Sequence, residues 1–310
     1  MQLFGTVLTY TAPTANYRGE SELNRTVIQK ITDGRFDYPI ISPEAMRNAL
    51  REILKTYGFP CNRERLHDEE QLAVKFESLP DPDKYIDDFM FGYLIAASAA
   101  DRKKFRETIA KDRSKKAADA FTFKRDSVLR MNLAKALEPY RFNSVFTQSP
   151  LSAKDSAYKN SETSALLHRE TSHTAFQYPF ALNGNDCASQ PDWTKALLKA
   201  IGELSGVAGN HARSYFEMAP ASIVARLSKQ LVAGYQTYGF QADGSFPEVI
   251  NGILRDPKPD YPGSEFYIGG KIIKDMTDGD IKKLESRGVT LDRDPRRLIE
   301  VLAEKFLGGK

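Results

Sequence analysis

A helix framed at both ends constrains the N-terminal part of this chain more than any other feature. Ser42 stands directly before Pro43, and Gly58 follows Tyr57. A serine oxygen accepts from an orphan backbone N–H, proline already holds a helical φ, and glycine ends the run. Between them Ala45, Met46, Ala49, Leu50, Ile53, Leu54 and Tyr57 recur at three- and four-residue spacing, which predicts an amphipathic helix over 42–57 docked on a sheet. The other face carries Glu44, Arg47, Asn48, Arg51 and Lys55. With the preceding Arg25, Lys30 and Arg35, this face and the positive end of the helix can converge on one anion. The same charges also read as a solvated face whose arginines pair with Glu44 and Glu52.

Composition narrows the class. At 310 residues the chain makes one large domain or two, and roughly three quarters of its unfolded surface can be buried. Hydrophobic residues at 41% and charged residues at 27% exclude fibrous and globally disordered classes. A net charge of +3 means that any polyanion must be met by a local patch. Cys61 and Cys187 form neither a CxxC nor a Cys/His spacing, so no zinc site or disulfide framework is predicted and a reducing cytoplasm fits. The opening run LFGTVLTY is short and alternating, a first strand over 2–11 rather than a signal peptide. No stretch has the length of a bilayer span, so no membrane partner is expected.

Along the chain, Pro13 ends the first strand before a polar loop, TANYRGESELNRT. QLAVKFESL and FMFGYLIAAS are both predicted strands, the second more buried. From Arg102 to Arg130 Lys and Arg are in strong excess. That window reads as an amphipathic surface helix held by Phe105 and Ile109, or as a finger touching nucleic acid. DSVLRMNLAKAL predicts a strand. The stretch NSVFTQSPLSAKDSAYKNSETS is too polar to bury itself and lies before ALLHRETSHTAFQYPFAL, a predicted strand. A polar excursion between strands is a candidate projecting hairpin, with Phe146 and Tyr158 able to stack on bases and Lys154 and Lys159 able to meet phosphates, or else a surface loop. A helix is predicted from 192 to 204. The tail holds two late helices, the last starting at Asp294-Pro295 with Leu298, Val301, Leu302 and Phe306 inward.

No GxGxxG, GxxxxGK[ST], GxSxG or HExxH occurs, so no nucleotide fold, hydrolase elbow or zinc protease is supported. His168 and His173, five apart in a predicted strand, point to opposite faces and cannot share an ion. No catalytic residue, metal site or cofactor is predicted. Asp33 is the one carboxylate beside the basic loop. In an Asp-Gly pair it reads as a turn, or as a group that holds a metal or assists attack by a 2′-hydroxyl.

The run LTYTAPTANYRGESELNRTVIQKITDGRFDYPIISPEAMRNALREIL resembles the N-terminal signature of the DevR-type CRISPR-associated backbone proteins, the repeated subunits of type I (I-B-like) Cascade. The match continues through DDFMFGYL, QSPLSAK, SALLHRETSHTAFQYPFALN and GNHAR, and weakens over the last eighty or so residues. The resemblance implies an α+β fold with an RRM-like (ferredoxin-like) palm, a four-stranded antiparallel sheet whose helices are 42–57 and 192–204. A finger insertion at 59–125 and a thumb hairpin at 143–165 would extend it. It further implies copies stacked head-to-tail on a CRISPR guide RNA, contact with other Cascade subunits, and target DNA met through the guide.

Carried onto this chain, the match implies RNA contacts at Asn24, Arg25, Gln29, Lys30, Arg35, Ser42, Arg47, Asn48 and Arg51, with Tyr17 and Arg18 beside them. It implies thumb contacts at Gln148, Ser149, Ser152 and Lys154, with His168 and Arg169 at the base. The expected role is a non-catalytic guide-binding scaffold. A guide-directed ribonuclease using Asp33 and a DNA-binding regulator are the alternatives, the last weakened by the lack of a helix-turn-helix pattern.

Overall fold

Strand β1 (Gln2–Thr9) is central, and it pairs antiparallel with strands that lie far away in sequence. The computed structural model describes residues 1–15, 17–22, 25–67, 72–149, 165–207 and 215–308. They form two compact units, Met1–Ile53 with Met131–Lys310, and Leu54–Arg130.

After β1 come β2 (Ala12–Thr14), β3 (Tyr17–Glu22), β4 (Arg25–Ile28), β5 (Lys30–Asp33), β6 (Phe36–Ile41) and helix α1 (Pro43–Thr56). The second unit holds β7 (Arg63–His67), β8 (Leu72–Phe76), α2 (Ile86–Phe91), β9 (Tyr93–Leu94), α3 (Ala99–Asp112), α4 (Lys115–Ala120) and β10 (Lys124–Arg125). The chain then runs through β11 (Arg130–Met131), β12 (Ala134–Ala136), β13 (Ser144–Ser149), β14 (Ala165–Glu170), β15 (Ser172–Thr174) and β16 (Phe176–Asn183). It ends with α5 (Gly184–Cys187), α6 (Pro191–Gly202), β17 (Pro220–Ser228), α7 (Pro247–Leu254), β18 (Phe266–Gly270), α8 (Lys271–Lys274), α9 (Asp278–Ser286), β19 (Thr290–Asp292) and α10 (Pro295–Gly308).

Among the described residues the main sheet runs β19-β18-β17-β1-β16-β12-β6-β5, antiparallel except where β18 meets β19. The protein is therefore a mixed α+β fold on a mainly antiparallel sheet. All nine residues of β17 are buried, so both sheet faces are covered there. Helices α6 and α10 pack together, and α10 lies against β17 and β18. The opposite face is filled by a cluster that includes Leu8, Val224, Phe240, Phe246, Phe266 and Ile268. The C-terminal region thus completes the core as well as adding the β18–β19 edge. No helix among the described residues is long and apolar enough to cross a membrane.

Several local expectations hold. The Ala45 N–H donates to Ser42 Oγ at 3.2 Å, and the Gly58 N–H donates to Lys55 O at the other end of α1. Other expectations give way. FMFGYLIAAS is the short helix α2 followed by β9, not one strand; each residue of α2 is buried, so no period distinguishes helix from strand. DSVLRMNLAKAL breaks into β11 and β12, and the run from Ala165 to Leu182 divides among β14, β15 and β16. The tail contains four helices, and in α10 it is Ile299 that is buried while Val301 is 39% exposed.

In the second unit, Asn62, Asp87 and Asp88 are fully buried. Asp87 accepts from the Asn62 and Arg63 backbone N–H groups at 2.7 and 3.1 Å. Asp88 Oδ2 accepts from Asn62 Nδ2 at 2.8 Å and from the Asp81 N–H at 2.9 Å. Asn62 Oδ1 in turn accepts from the Ser78 N–H and hydroxyl at 2.9 and 3.1 Å. The adjacent carboxylates are thereby occupied as internal caps. Burial is the largest influence on Asp88 and pushes its carboxyl above the ordinary value, against the hydrogen bonds from Asp81 and Asn62. The folded state holds that proton more tightly than the unfolded chain, so this group's contribution to stability declines as pH rises from the ordinary carboxylate range through the raised value. Asn62→Ala orphans groups on both sides and should cost about 2–4 kcal/mol in denaturant unfolding of the full chain. A loss within about 0.5 kcal/mol, the size of an ordinary surface change, would remove Asn62 from the centre of this unit.

Candidate nucleic-acid interface

The basic lead-in to α1 is a β-hairpin. Lys30 pairs with Pro39, Ile31 with Tyr38, Thr32 with Asp37 and Asp33 with Phe36, leaving Gly34 and Arg35 as the two-residue turn. Gly34 has φ +64, which suits the left-handed first position of such a turn. Asp33 is the last strand residue before the turn that the Asp-Gly pair suggests, and its carboxylate is ion-paired with Lys135, whose ammonium lies 4.4 Å from the centre of the Tyr38 ring. Arg35 is exposed at the tip, next to Phe36, which is 57% exposed. Ser42 caps the helix at the hairpin's base, roughly 20 Å from the tip at the rise of an extended strand. The expected convergence on one anion therefore does not extend to Arg35: Lys30, opposite Pro39, lies near the base with Ser42, whereas Arg35 lies at the far tip.

The helix also distributes its cations differently from the amphipathic reading. Arg51 is only 4% exposed, and its Nη1 donates to Asn48 Oδ1 at 2.7 Å. The assignment of Arg51 to RNA is corrected on that ground: α1 is buried over a wider arc than its apolar stripe, and the arginine stem shares in that burial. Arg47 and Asn48 are half-buried, as are Ser42 and Gln29. Lys30 is engaged inside the protein. Its Nζ lies 3.4 Å from Glu170 Oε2 and 4.1 Å from the centre of the Tyr140 ring. Glu170 is buried and also accepts from the Ile28 N–H at 3.1 Å. Arg169 is 8% exposed, so its assignment to RNA is corrected in the same way.

A second sheet, β13-β14-β4-β3, gathers the remaining candidates. Tyr17 and Arg18 lie in β3, Arg25 in β4, Gln148 and Ser149 in β13, and His168 and Arg169 in β14. β13 and β14 form an antiparallel pair, and β14 runs parallel to β4 with His168 opposite Arg25. Two stretches widely spaced in sequence, one holding β3 and β4 and the other β13 and β14, thus meet in one sheet. His168 is exposed and meets the Phe146 ring edge-on at 4.2 Å, while Phe146 is 63% exposed. His173 belongs to β15, so the two histidines do not share a strand. Asn24, Ser152 and Lys154 lie outside the described residues, as does His211.

Sequence reasoning passed over the link between β12 and β13. The Tyr140 N–H donates to Asp37 O at 2.7 Å, which ties this link to the hairpin, and Arg141 and Phe142 beyond it are exposed, Phe142 to 62%. An Arg-Phe pair in a polar stretch was the available signal. Exposed aromatic rings alternating with cations suit stacking on bases and contact with phosphates. Among the described residues no group of three or more His, Cys, Asp or Glu side chains is placed to hold a metal.

The fold is a mixed α+β one, and this surface sets exposed rings beside cations. The chain's similarities agree with the resemblance read from the motifs. A curated protein of Myxococcus xanthus (strain DK1622), the CRISPR-associated protein Cas7/Cst2/DevR, is 28% identical over 284 residues, 89% of this chain and 88% of the relative. A chain of a CRISPR RNA-guided surveillance complex, pre-nicking, matches with a TM-score of 0.57 at 10% identity, over 99% of this chain and 100% of that one. A chain of another CRISPR RNA-guided surveillance complex matches with a TM-score of 0.53 at 12% identity, over 98% of each. No family model matches.

The contrast between Lys30 and Arg35 is testable without RNA. Lys30→Ala leaves a buried carboxylate short of a partner and should cost about 1–3 kcal/mol, whereas Arg35→Ala at the exposed tip should change stability by less than about 0.5 kcal/mol. Equal midpoints of denaturant unfolding for the two variants would contradict the internal role of Lys30.

Proposed function

We propose that this protein is a non-catalytic, CRISPR guide RNA-binding backbone subunit of a type I Cascade complex in the cytoplasm. Copies stack head-to-tail along the guide with the other Cascade subunits and offer it for pairing with target DNA. The observation that carries this reading is the meeting of β3, β4, β13 and β14 in one sheet beside the Arg35 hairpin. It places the backbone of Tyr17, Arg18 and Arg25 in one sheet with the exposed Phe146 and His168.

The sheet order supports an RRM-like palm. Elements β1, α1, β12, β16, α6 and β17 follow one another as β-α-β-β-α-β when the insertions are set aside, and their strands lie in the order β17-β1-β16-β12. In this reading β13 and β14 form the base of the thumb, and the Leu54–Arg130 unit supplies the fingers. Exposed Lys103, Lys104, Lys111, Lys115 and Lys116 on α3 and α4 give that unit a field attractive to nucleic acid. Sequence readout is left to base pairing, with the protein holding phosphate, ribose and base faces. Asp33 serves as a turn residue and ion-pair partner, which supports a scaffold over a nuclease.

Titration of a fluorescent single-stranded RNA at several salt concentrations separates the two kinds of contact. Arg35→Ala should weaken binding and flatten the log–log salt dependence by about 0.7, the share of one phosphate contact on a single strand. Phe146→Ala should weaken binding by about 1–3 kcal/mol and leave the slope unchanged. Unchanged affinity in both variants would remove the hairpin and thumb base from the site. RNA left intact by both the wild-type protein and Asp33→Ala is the expected companion result; cleavage that depends on Asp33 would overturn the scaffold reading.

A further inference from the structure

The chain passes between the small sheet β13-β14-β4-β3 and the main sheet at Gln29, along 137–143, and from Thr171 onward through β15. Glu170 stands among these crossings. Its Oε2 accepts from the Ile28 N–H at 3.1 Å and lies 3.4 Å from Lys30 Nζ, so it grips both neighbours of Gln29. Lys30 Nζ also lies 4.1 Å from the centre of the Tyr140 ring, within the second crossing. The Thr171 N–H donates to Asn143 O at 2.9 Å, which ties the third crossing to the end of the second. The Ile40 N–H donates to Gln29 O at 3.0 Å and seats the first on β6.

This junction lies between two parts of the candidate interface. Side chains alternate along β14, so Glu170 and His168 share one side of the strand, roughly 7 Å apart, and His168 meets the Phe146 ring. In the other direction Lys30 begins β5, and the Arg35 turn starts roughly 10 Å further along that strand. Rings on one side and a cation on the other are thus referred to the same bonds. The Glu170 side chain is only 3% exposed, so its pairing with Lys30 is screened by salt less than a surface pair.

We infer that Glu170 is a positioning residue for nucleic-acid binding: from inside the protein it sets the spacing between the Phe146–His168 rings and the Arg35 turn. This rests on the guide-binding reading above and adds the group that keeps its two contact sets in register. A strand long enough to reach both sets gains from a fixed spacing, because the second contact then costs little further ordering. A strand that reaches only one set is indifferent to the spacing.

The test has an RNA-free arm and an RNA arm, both on the full chain. Nitroxide labels are placed on Arg35→Cys and Val145→Cys, at exposed positions; native Cys61 and Cys187 are buried. Pulsed electron spin resonance should give one narrow distance distribution with Glu170 present. Glu170→Gln keeps an acceptor for the Ile28 N–H but removes the charge, and should broaden the distribution. Lys30→Met cuts the same ion pair from the other side and should broaden it as much, and the two changes together no more than either alone. In the unlabelled protein, Glu170→Gln should weaken binding of a single-stranded RNA of about 16 nucleotides by about tenfold and leave one of about 4 nucleotides unaffected. An unchanged distribution, or unchanged affinity for the longer RNA, would overturn the positioning role. Equal losses on both lengths would place the effect at the contacts themselves and overturn it as well. Wild-type protein that binds neither RNA would overturn the proposed function and this inference together, whereas the other two outcomes leave the proposed function standing.

Discussion

A single buried carboxylate fixes the geometry on which the candidate interface depends. Glu170 ends β14, and its Oε2 receives the Ile28 N–H from the end of β4 and lies 3.4 Å from the ammonium of Lys30 at the start of β5. β14 and β4 belong to the four-stranded sheet, whereas β5 is the edge of the main sheet. The carboxylate therefore joins the two sheets at the residue where the chain passes from one to the other. A buried charge is costly unless paired and hydrogen-bonded, so departures from this junction are penalised and the end of β14 is held against the β5–β6 hairpin. Lys30 meets the Tyr140 ring as well, which brings the β12–β13 link into the same junction.

The fold was legible where the sequence carried its own boundaries. Ser42-Pro43 and Gly58 mark α1 because cap chemistry is local, and Asp33-Gly34 marks a turn for the same reason. β1 was readable as a strand, but its adjacency to β17 was not, since pairing between residues over two hundred positions apart leaves no local trace. Helix α2 was misread because a fully buried six-residue segment has no polar face to reveal a period. The candidate site was legible in residue type more than in role. Arg51, Arg169 and Lys30 are cations in the right segments, yet the structure uses them internally, and only contacts such as Arg51 with Asn48 distinguish a structural arginine from an exposed one.

The same division runs through the second unit. Its basic window looks like a uniform positive strip, but its arginines act as staples. Arg106 donates to the Ala118 and Asp119 carbonyls, Arg102 to Ala97, and Arg113 pairs with Asp81 at 2.9 Å. Arg102 and Arg106 also lie over the Phe123 ring. A planar guanidinium suits fixed carbonyl and aromatic partners, whereas the ammonium of a lysine is a strongly hydrated point charge that stays in water. Arg102, Arg106 and Arg113 stay exposed while making these bonds, and the lysines on α3 and α4 are exposed too, so the field of both is screened by salt.

This partition bears on how a protein of net charge +3 can hold a polyanion. Arg51, Arg169 and Arg226 are spent on the fold, and in the proposed role counterion release would come through exposed cations such as Arg35 and Arg141. Exposed Phe36, Phe142 and Phe146 offer a second source, because stacking on a base face is insensitive to salt and to sequence. In the proposed role, a guide held partly by stacking would keep its base edges free for pairing, and contacts from several copies along one strand would add, so that each subunit could bind modestly. Exposed cations are spread over the surface, among them Arg35, Arg141 and the lysines of α3 and α4, so attraction for a polyanion is distributed and exposed rings are needed to focus it on one face.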